Sequence, residues 1–224
     1  KLRHQVFLEE GLNRSHQTGL EFDDFDHRAD HLMIIEKENN IAVGTYRLIH
    51  SDYSEIFYSQ GEFHLDKFLG QEGKKLELGR ACTHSEHRTG RTMDLLWQGL
   101  SRYIRDTRTR YLFGCSSIDS IEPTMVFSIL KSLDKKGNLS DDFTIRPTPK
   151  YEFPTPEAFL ESAEVNPGVL RALPPLLRSY LHAGSCVYGF PALDKDFACA
   201  DLFTILDLLK LNKKFAERYD PVRL

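Results

Sequence analysis

The chain has 224 residues, with 29 Lys and Arg against 33 Asp and Glu, a formal net charge of -4 and 41% hydrophobic residues. That is enough for one well-cored domain, or a domain with a substantial extension, and the mildly acidic balance argues against wholesale nucleic-acid binding. No apolar run is long enough to cross a bilayer and nothing resembles a signal peptide.

Cys82, Cys115, Cys186 and Cys199 show no zinc-ligand spacing and read as reduced, buried thiols of a cytoplasmic protein. The chain opens at Lys1 rather than at a methionine, so a natural start further upstream is expected, with room there for a short targeting or strand-forming segment.

Leu2, Val6 and Phe7 have helical spacing, ended by Gly11 and Asn13, which predicts a short amphipathic first helix. From Ser15 to Asp30 there is no sustained periodicity. This acidic stretch holds Glu21, Asp23, Asp24, Asp26 and Asp30 around Phe22 and Phe25, and two aromatics in a long loop can fold it over a cleft. Residues 31–36 and 41–49 read as the strands of a hairpin turning at Glu38-Asn39-Asn40. Arg47 alternates with Thr45 and Ile49, pointing either into a cleft or off an edge.

The centre of the chain is Leu76–Thr83, a basic loop, and a helix opening at Gly90 and carrying Met93, Leu96, Trp97 and Leu100. A helix start leaves N–H groups facing outward, suited to an anion, and Arg88 and Arg91 flank Gly90 there. Glu77 and Arg80 are three residues apart and fall on opposite faces of a regular strand. A bulge at Gly79 is therefore expected, aiming both side chains into a cleft. Between Arg88 and Arg110 six arginines face only Asp94 and Asp106, a patch suited to an acidic partner.

Residues 110–117 read as a buried strand, parallel to the Leu76 strand across a βαβ crossover. Cys115 within it reads as packing rather than as a nucleophile, having no local histidine. Pro123 opens a helix with Val126, Ile129, Leu130 and Leu133 on one face. Residues 138–156 are polar and proline-rich, read as a linker or surface excursion, and a helix over Leu170–Leu181 should break at Pro174-Pro175. Residues 185–190 and 197–206 look like strands, the latter with a helical alternative. For the basic amphipathic tail over 208–219, binding a membrane surface competes evenly with packing.

Several of these stretches carry a resemblance. They are Glu77-Leu78-Gly79-Arg80 with Cys82 and His84, the Arg88–Thr92 loop, Leu95-Leu96-Trp97, Val43–Leu48, and the run Leu173–Leu181 with Ala192, Asp194, Asp196, Phe197 and Asp201. Together they resemble the acyl-carrier-protein-dependent N-acyltransferases that make ornithine and glycine lipids. That family, also called haemolysin-like, is a branch of the GNAT superfamily related to the acyl-homoserine-lactone synthases.

The resemblance implies a GNAT-like α/β fold: a mixed sheet with a central bulged strand and flanking helices. Residues 1–137 would be the core, and residues 138–224 a family-specific extension completing the same domain. It implies transfer of a long fatty acyl group, expected to be 3-hydroxylated, from acyl carrier protein to the α-amine of ornithine or glycine. No cofactor would be bound permanently, and the donor is the carrier's acyl-phosphopantetheine.

By position, Glu77 is the general-base candidate, directly or through a water, Arg80 would orient Glu77 or hold the acceptor's carboxylate, and an N–H near Ala81 is the oxyanion donor. Arg88, Gly90, Arg91 and Thr92 would take the phosphopantetheine, and Arg3, Asp23, Asp26 and Arg47 would face the amino acid acceptor. A lactone synthase using S-adenosylmethionine and a catalytically silent carrier-protein-binding module are the competing readings. Direct membrane lysis is disfavoured, because the chain has no long apolar or cationic lytic helix.

Overall fold

The computed structural model of the chain describes residues 1–171 and 173–219. The expected hairpin forms from β1 (Asp30–Glu36) and β2 (Ile41–His50), with Asn40 in the left-handed conformation that closes its turn. The central strand β4 (Lys75–Thr83) pairs antiparallel with β2 and parallel with β5 (Tyr111–Ile118), as the crossover requires. Between them in the chain, β3 (Phe63–His64) leads into the single turn α1 (Asp66–Leu69).

Two strands from the C-terminal part, β8 (Cys186–Asp194) and β9 (Cys199–Asp207), extend the same sheet beyond β5. With the short β6 (Leu139–Ser140) the order is β1-β2-β4-β5-β9-β8-β6. The segment 197–206 is thus a strand. The stretch 138–156 is not a surface excursion, because it supplies β6 and also β7 (Arg146–Pro147), which pairs with β3, and it buries Ile145 and Phe153.

Helix α2 (Gly90–Thr107) starts where the Thr89 side chain accepts the Thr92 N–H and stops at Arg108 in the left-handed region. Its apolar stripe of Leu96, Trp97, Leu100 and Ile104 recurs at helical spacing and packs on Leu48, Leu76 and Leu78. Helix α3 (Pro123–Lys135) has Pro123 in its first turn and is capped by Glu122, which accepts from Thr124 and Met125. It buries Val126, Phe127, Leu130 and Leu133 with α4 (Pro156–Ser162) alongside.

The break at Pro174-Pro175 is present. A 3-10 turn over Val169–Arg171 precedes it, and α5 (Pro175–Ala183) follows. Trp97 donates its indole N–H to Ser179 at 2.8 Å and stands edge-on to Tyr180 and to Phe215 of α6 (Lys213–Tyr219). Such aromatic pairs contribute roughly 0.5–1.5 kcal/mol beyond their buried area. The tail helix therefore turns its aromatic side inward, the packing arrangement. Among the described residues, no helix is long and apolar enough to cross a membrane.

Two features set up the cleft. The first is a bulge: from Thr45 to Arg47 β2 advances two residues while β4 advances three, from Cys82 back to Gly79. The residue that absorbs the extra step is Arg80, at φ 49°, and not Gly79. The second is a split: β4 and β5 pair only over Lys75–Glu77 and Tyr111–Phe113, after which they part. At the fork a Cβ added to Gly114 would lie 2.3 Å from the Leu78 carbonyl oxygen, so only glycine lets the strands pinch there before diverging. The first helix, His4–Gly11, is wound as a π-helix, and it places Phe7 on the wall of the cleft.

Candidate active site

A cavity of about 460 Å³ occupies the split and is lined from both faces of the sheet. One part of the lining is largely apolar, made of Val6, Phe7, Leu12, Leu78, Leu176 and Leu177 with Tyr180. The other is polar, formed by Arg47, Tyr58, Ser59, Glu62, Glu77 and Arg80 with Asp194 and Asp201. The bulge accomplishes what a regular strand could not, since both Glu77 and Arg80 line this space.

Glu77 is 2% exposed and both of its oxygens are engaged. Oε2 accepts the Tyr58 N–H at 2.7 Å, and Oε1 accepts the Ser59 N–H at 2.7 Å and the Ser59 hydroxyl at 2.5 Å. Burial pushes its carboxyl above the ordinary range, and these donors pull the other way. The carboxylate caps the turn over Tyr58–Gly61, so its oxygens are engaged by the turn's donors.

The Cys115 thiol meets Ser59 Oγ at 3.4 Å and Glu62 Oε2 at 3.3 Å, linking Glu77 to a second buried carboxyl. Burial, then the charges of Glu62 and Asp201, push the Cys115 thiol up and keep it protonated, which agrees with a packing role. Glu62 and Asp201 are both raised, first by burial; Asp201 and Asp194 add to the rise at Glu62, and Asp194 adds to that at Asp201.

Arg3, Asp23 and Asp26 do not line the cavity; they brace its wall. Arg3 donates Nη2 to Asp26 at 2.8 Å and also pairs with Glu21. Arg47, 2% exposed, donates to Asp23 at 2.6 Å, and Arg80 lies 3.1 Å from Glu21 and 3.3 Å from Asp23. Asp23 and Asp26 also close a capping box on the 3-10 turn Asp24–Arg28.

These two carboxylates, expected to meet an incoming ammonium, are already held by arginines. What the acidic loop does is pin three arginines. The Tyr58 ring lies between two of those, 5.3 Å from the Arg47 guanidinium and 4.9 Å from that of Arg80.

Arg88, Gly90, Arg91 and Thr92 lie at the tip of α2, outside the lining of the cavity. Arg88 donates to the Thr83 carbonyl at 3.2 Å and pairs with Glu10, while the Thr92 hydroxyl donates to the His87 carbonyl at 2.7 Å. A Cβ on Gly90 would meet nothing within 4 Å, so the start of the helix is open to an approaching group. Ala81 lines the cavity on the part of β4 that has left β5.

Sequence reasoning gave no role to Glu62 and placed Asp194 and Asp201 only by resemblance. They come from a turn and two late strands, and no spacing marks their convergence. The one available signal was an apolar neighbourhood, Phe63 and Leu65 beside Glu62 and Leu202 and Phe203 beside Asp201, which forces a carboxyl into the interior.

Residues 2–98 match the family described as an acetyltransferase (GNAT) domain. The chain is 30% identical to an L-ornithine N(alpha)-acyltransferase of Brucella abortus (strain 2308), over 98% of this chain and 83% of that protein. It is 31% identical to the protein of the same name from Rhizobium meliloti (strain 1021), over 97% of this chain and 78% of that one. Among solved structures, a CoA-dependent acyl-homoserine lactone synthase, BjaI, with SAM and isopentyl-CoA superposes with a TM-score of 0.50. The identity there is 15%, over 98% of this chain and 77% of that one, a likeness of fold.

Proposed function

The chain belongs to the L-ornithine N(alpha)-acyltransferase family and is an N-acyltransferase, and we propose that it moves a long, 3-hydroxylated fatty acyl group from acyl carrier protein to the α-amine of L-ornithine. The observation that carries this reading is the cavity in the β4–β5 split, whose lining joins an apolar set of side chains to a charged one. The apolar part suits a fatty chain and the charged part an amino acid, so the thioester carbon and the amine would meet at the fork.

In this reading Arg88, Arg91 and the open backbone at Gly90 and Thr92 take the phosphate of the phosphopantetheine. The α2 arginines meet the acidic carrier protein, and the Ala81 N–H stabilises the thioester oxygen. Arg47 and Arg80, rather than the loop carboxylates, face the acceptor's carboxylate, while Arg3, Asp23 and Asp26 hold them in place. No permanently bound cofactor enters. The reaction belongs to the cytoplasm, where the carrier is, with the product passing to the inner membrane as an aminolipid precursor.

The test is a reaction of the purified protein with long-chain 3-hydroxyacyl carrier protein, or the matching acyl-CoA, against L-ornithine, glycine and S-adenosylmethionine, read by mass spectrometry. N-acylornithine formed from the carrier-bound donor is the expected product. A lactone formed from S-adenosylmethionine, or tight carrier binding with no transfer to any acceptor, would replace the reading.

A further inference from the structure

An amine must be neutral to attack a thioester, so an acceptor that arrives as an ammonium needs a proton acceptor in the cleft. Glu77 and Glu62 both line the cavity and are both 2% exposed, but their surroundings differ. Glu77 accepts two backbone N–H groups and a hydroxyl, all at 2.5–2.7 Å. A carboxylate so supplied with donors has its lone pairs committed and is a poor base. Glu62 meets the Cys115 thiol, a weak donor, at 3.3 Å, and bonds to the Tyr58 hydroxyl and the Asp201 carboxyl, all of them side chains; its backbone carbonyl, accepting from Thr148, holds the turn in place.

Glu62 also sits beside Cys115, two residues beyond the last paired residue of β5, and so at the fork itself. We propose that Glu62 is the catalytic base that deprotonates the acceptor amine, and that Glu77 is a positioning residue that fixes the Tyr58–Gly61 turn carrying it. This assignment rests on the N-acyltransferase reading above.

The groups facing Glu62 are Asp194 and Cys199 and Asp201 from β8 and β9, Cys115 from β5, and Tyr58 in its own turn, with Glu77 and Arg80 across the cavity. Their balance is negative. It draws the ammonium in, and with burial it raises the Glu62 carboxyl well above the ordinary carboxylate range, so wild-type turnover should itself rise with pH until Glu62 has lost its own proton and then level off.

The protons balance as follows. The ammonium gives one proton to a Glu62 oxygen, and its nitrogen then bonds to the thioester carbon. When the C–S bond breaks, the second nitrogen proton leaves with the thiolate as free thiol. Glu62 then releases its proton to water.

The test compares Glu62→Gln with Glu77→Gln and with the conservative Glu62→Asp, using acyl carrier protein donor, saturating L-ornithine, and turnover from pH 6 to 9. For Glu62→Gln, kcat at pH 7 is expected to fall at least 100-fold with little change in KM. Its turnover should then climb about tenfold per pH unit up to pH 9, following the free amine, without the levelling that Glu62 gives the wild type. Hydroxylamine, neutral at pH 7, should be acylated by this variant at close to the wild-type rate.

Glu62→Asp should keep the wild-type shape of the profile at lower turnover, which separates loss of the base from misfolding. Glu77→Gln should keep that shape too, with a lower melting temperature. Glu62→Gln turnover within threefold of wild type across the range, or the unbroken climb to pH 9 appearing in Glu77→Gln instead, overturns the assignment. If the wild-type protein itself forms no N-acyl product, the parent reading fails, and the assignment with it.

Discussion

The hydroxyls of Tyr46 and Tyr180 lie 2.6 Å apart, joining the central hairpin to α5 across 134 positions of sequence at the edge of the cavity. Burial, with each hydroxyl as the other's partner, pushes the Tyr46 phenol well above its ordinary range, and burial does the same to Tyr180, so both remain protonated. Replacing one by phenylalanine leaves a buried hydroxyl without its partner, a loss of about 1–3 kcal/mol, whereas replacing both removes the unmet need. In urea unfolding, Tyr46→Phe with Tyr180→Phe should cost less than the sum of the single changes. Strict additivity would mean that the hydroxyls do not interact.

At the fork, Gly114→Ala would bring a Cβ within 2.3 Å of the Leu78 carbonyl oxygen, and backbone on both sides cannot give way. A loss of about 2–4 kcal/mol is expected, or failure to fold, since overpacking of this kind is felt in full. Chemical denaturation measures it. A near-neutral result would show that the strands part without the pinch.

Arg80 holds φ 49° with a side chain, a conformation that costs an L-residue roughly 1–2 kcal/mol and glycine nothing. Its ion pairs to Glu21 and Asp23 hold it there. Arg80→Gly and Arg80→Ala both lose those pairs, but only glycine relieves the backbone. Because glycine gains chain entropy on unfolding, the difference narrows to about 1 kcal/mol in its favour. Thermal melts should rank glycine above alanine, and turnover should be low in both.

Burial pushes the Asp26 carboxyl up, but hydrogen bonds from Arg3 and from the Asp23 N–H outweigh it and hold it down at about 2. A carboxyl depressed in the folded state binds fewer protons than in the unfolded one. Its stabilisation is therefore complete above the ordinary value of 3.8 and is lost as pH falls toward 2. Unfolding free energy should drop across that window, and Asp26→Asn should flatten the drop while lowering stability at neutral pH. An unchanged acid limb in the variant would show that the Arg3 clamp does not depend on this charge.

Much of the sheet was legible because local chemistry announces it. Glu38-Asn39-Asn40 marks the hairpin, Thr89-Gly90 the start of α2, and Pro174-Pro175 the break before α5. The spacing of Glu77 and Arg80 required a bulge, yet glycine was the wrong place for it. A non-glycine residue in the left-handed region carries no local mark when the groups holding it, Glu21 and Asp23, lie nearly sixty residues away. Separation in sequence, from some twenty to nearly sixty residues, also hid what the acidic loop holds: carboxylates suited to a ligand's ammonium are equally suited to an arginine, and three arginines reach them. Leu2, Val6 and Phe7 fit an α-helix and a π-helix alike, so the winding of the first helix could not be read.

Trp97 is the chain's single tryptophan, and it rests edge-on against the same Tyr180 whose ring borders the cavity. The protein thus carries its own optical reporter on the far side of one wall. Intrinsic emission, with no label attached, should register any shift of α5 as an acyl chain enters, and stopped-flow traces could time that entry apart from the chemistry.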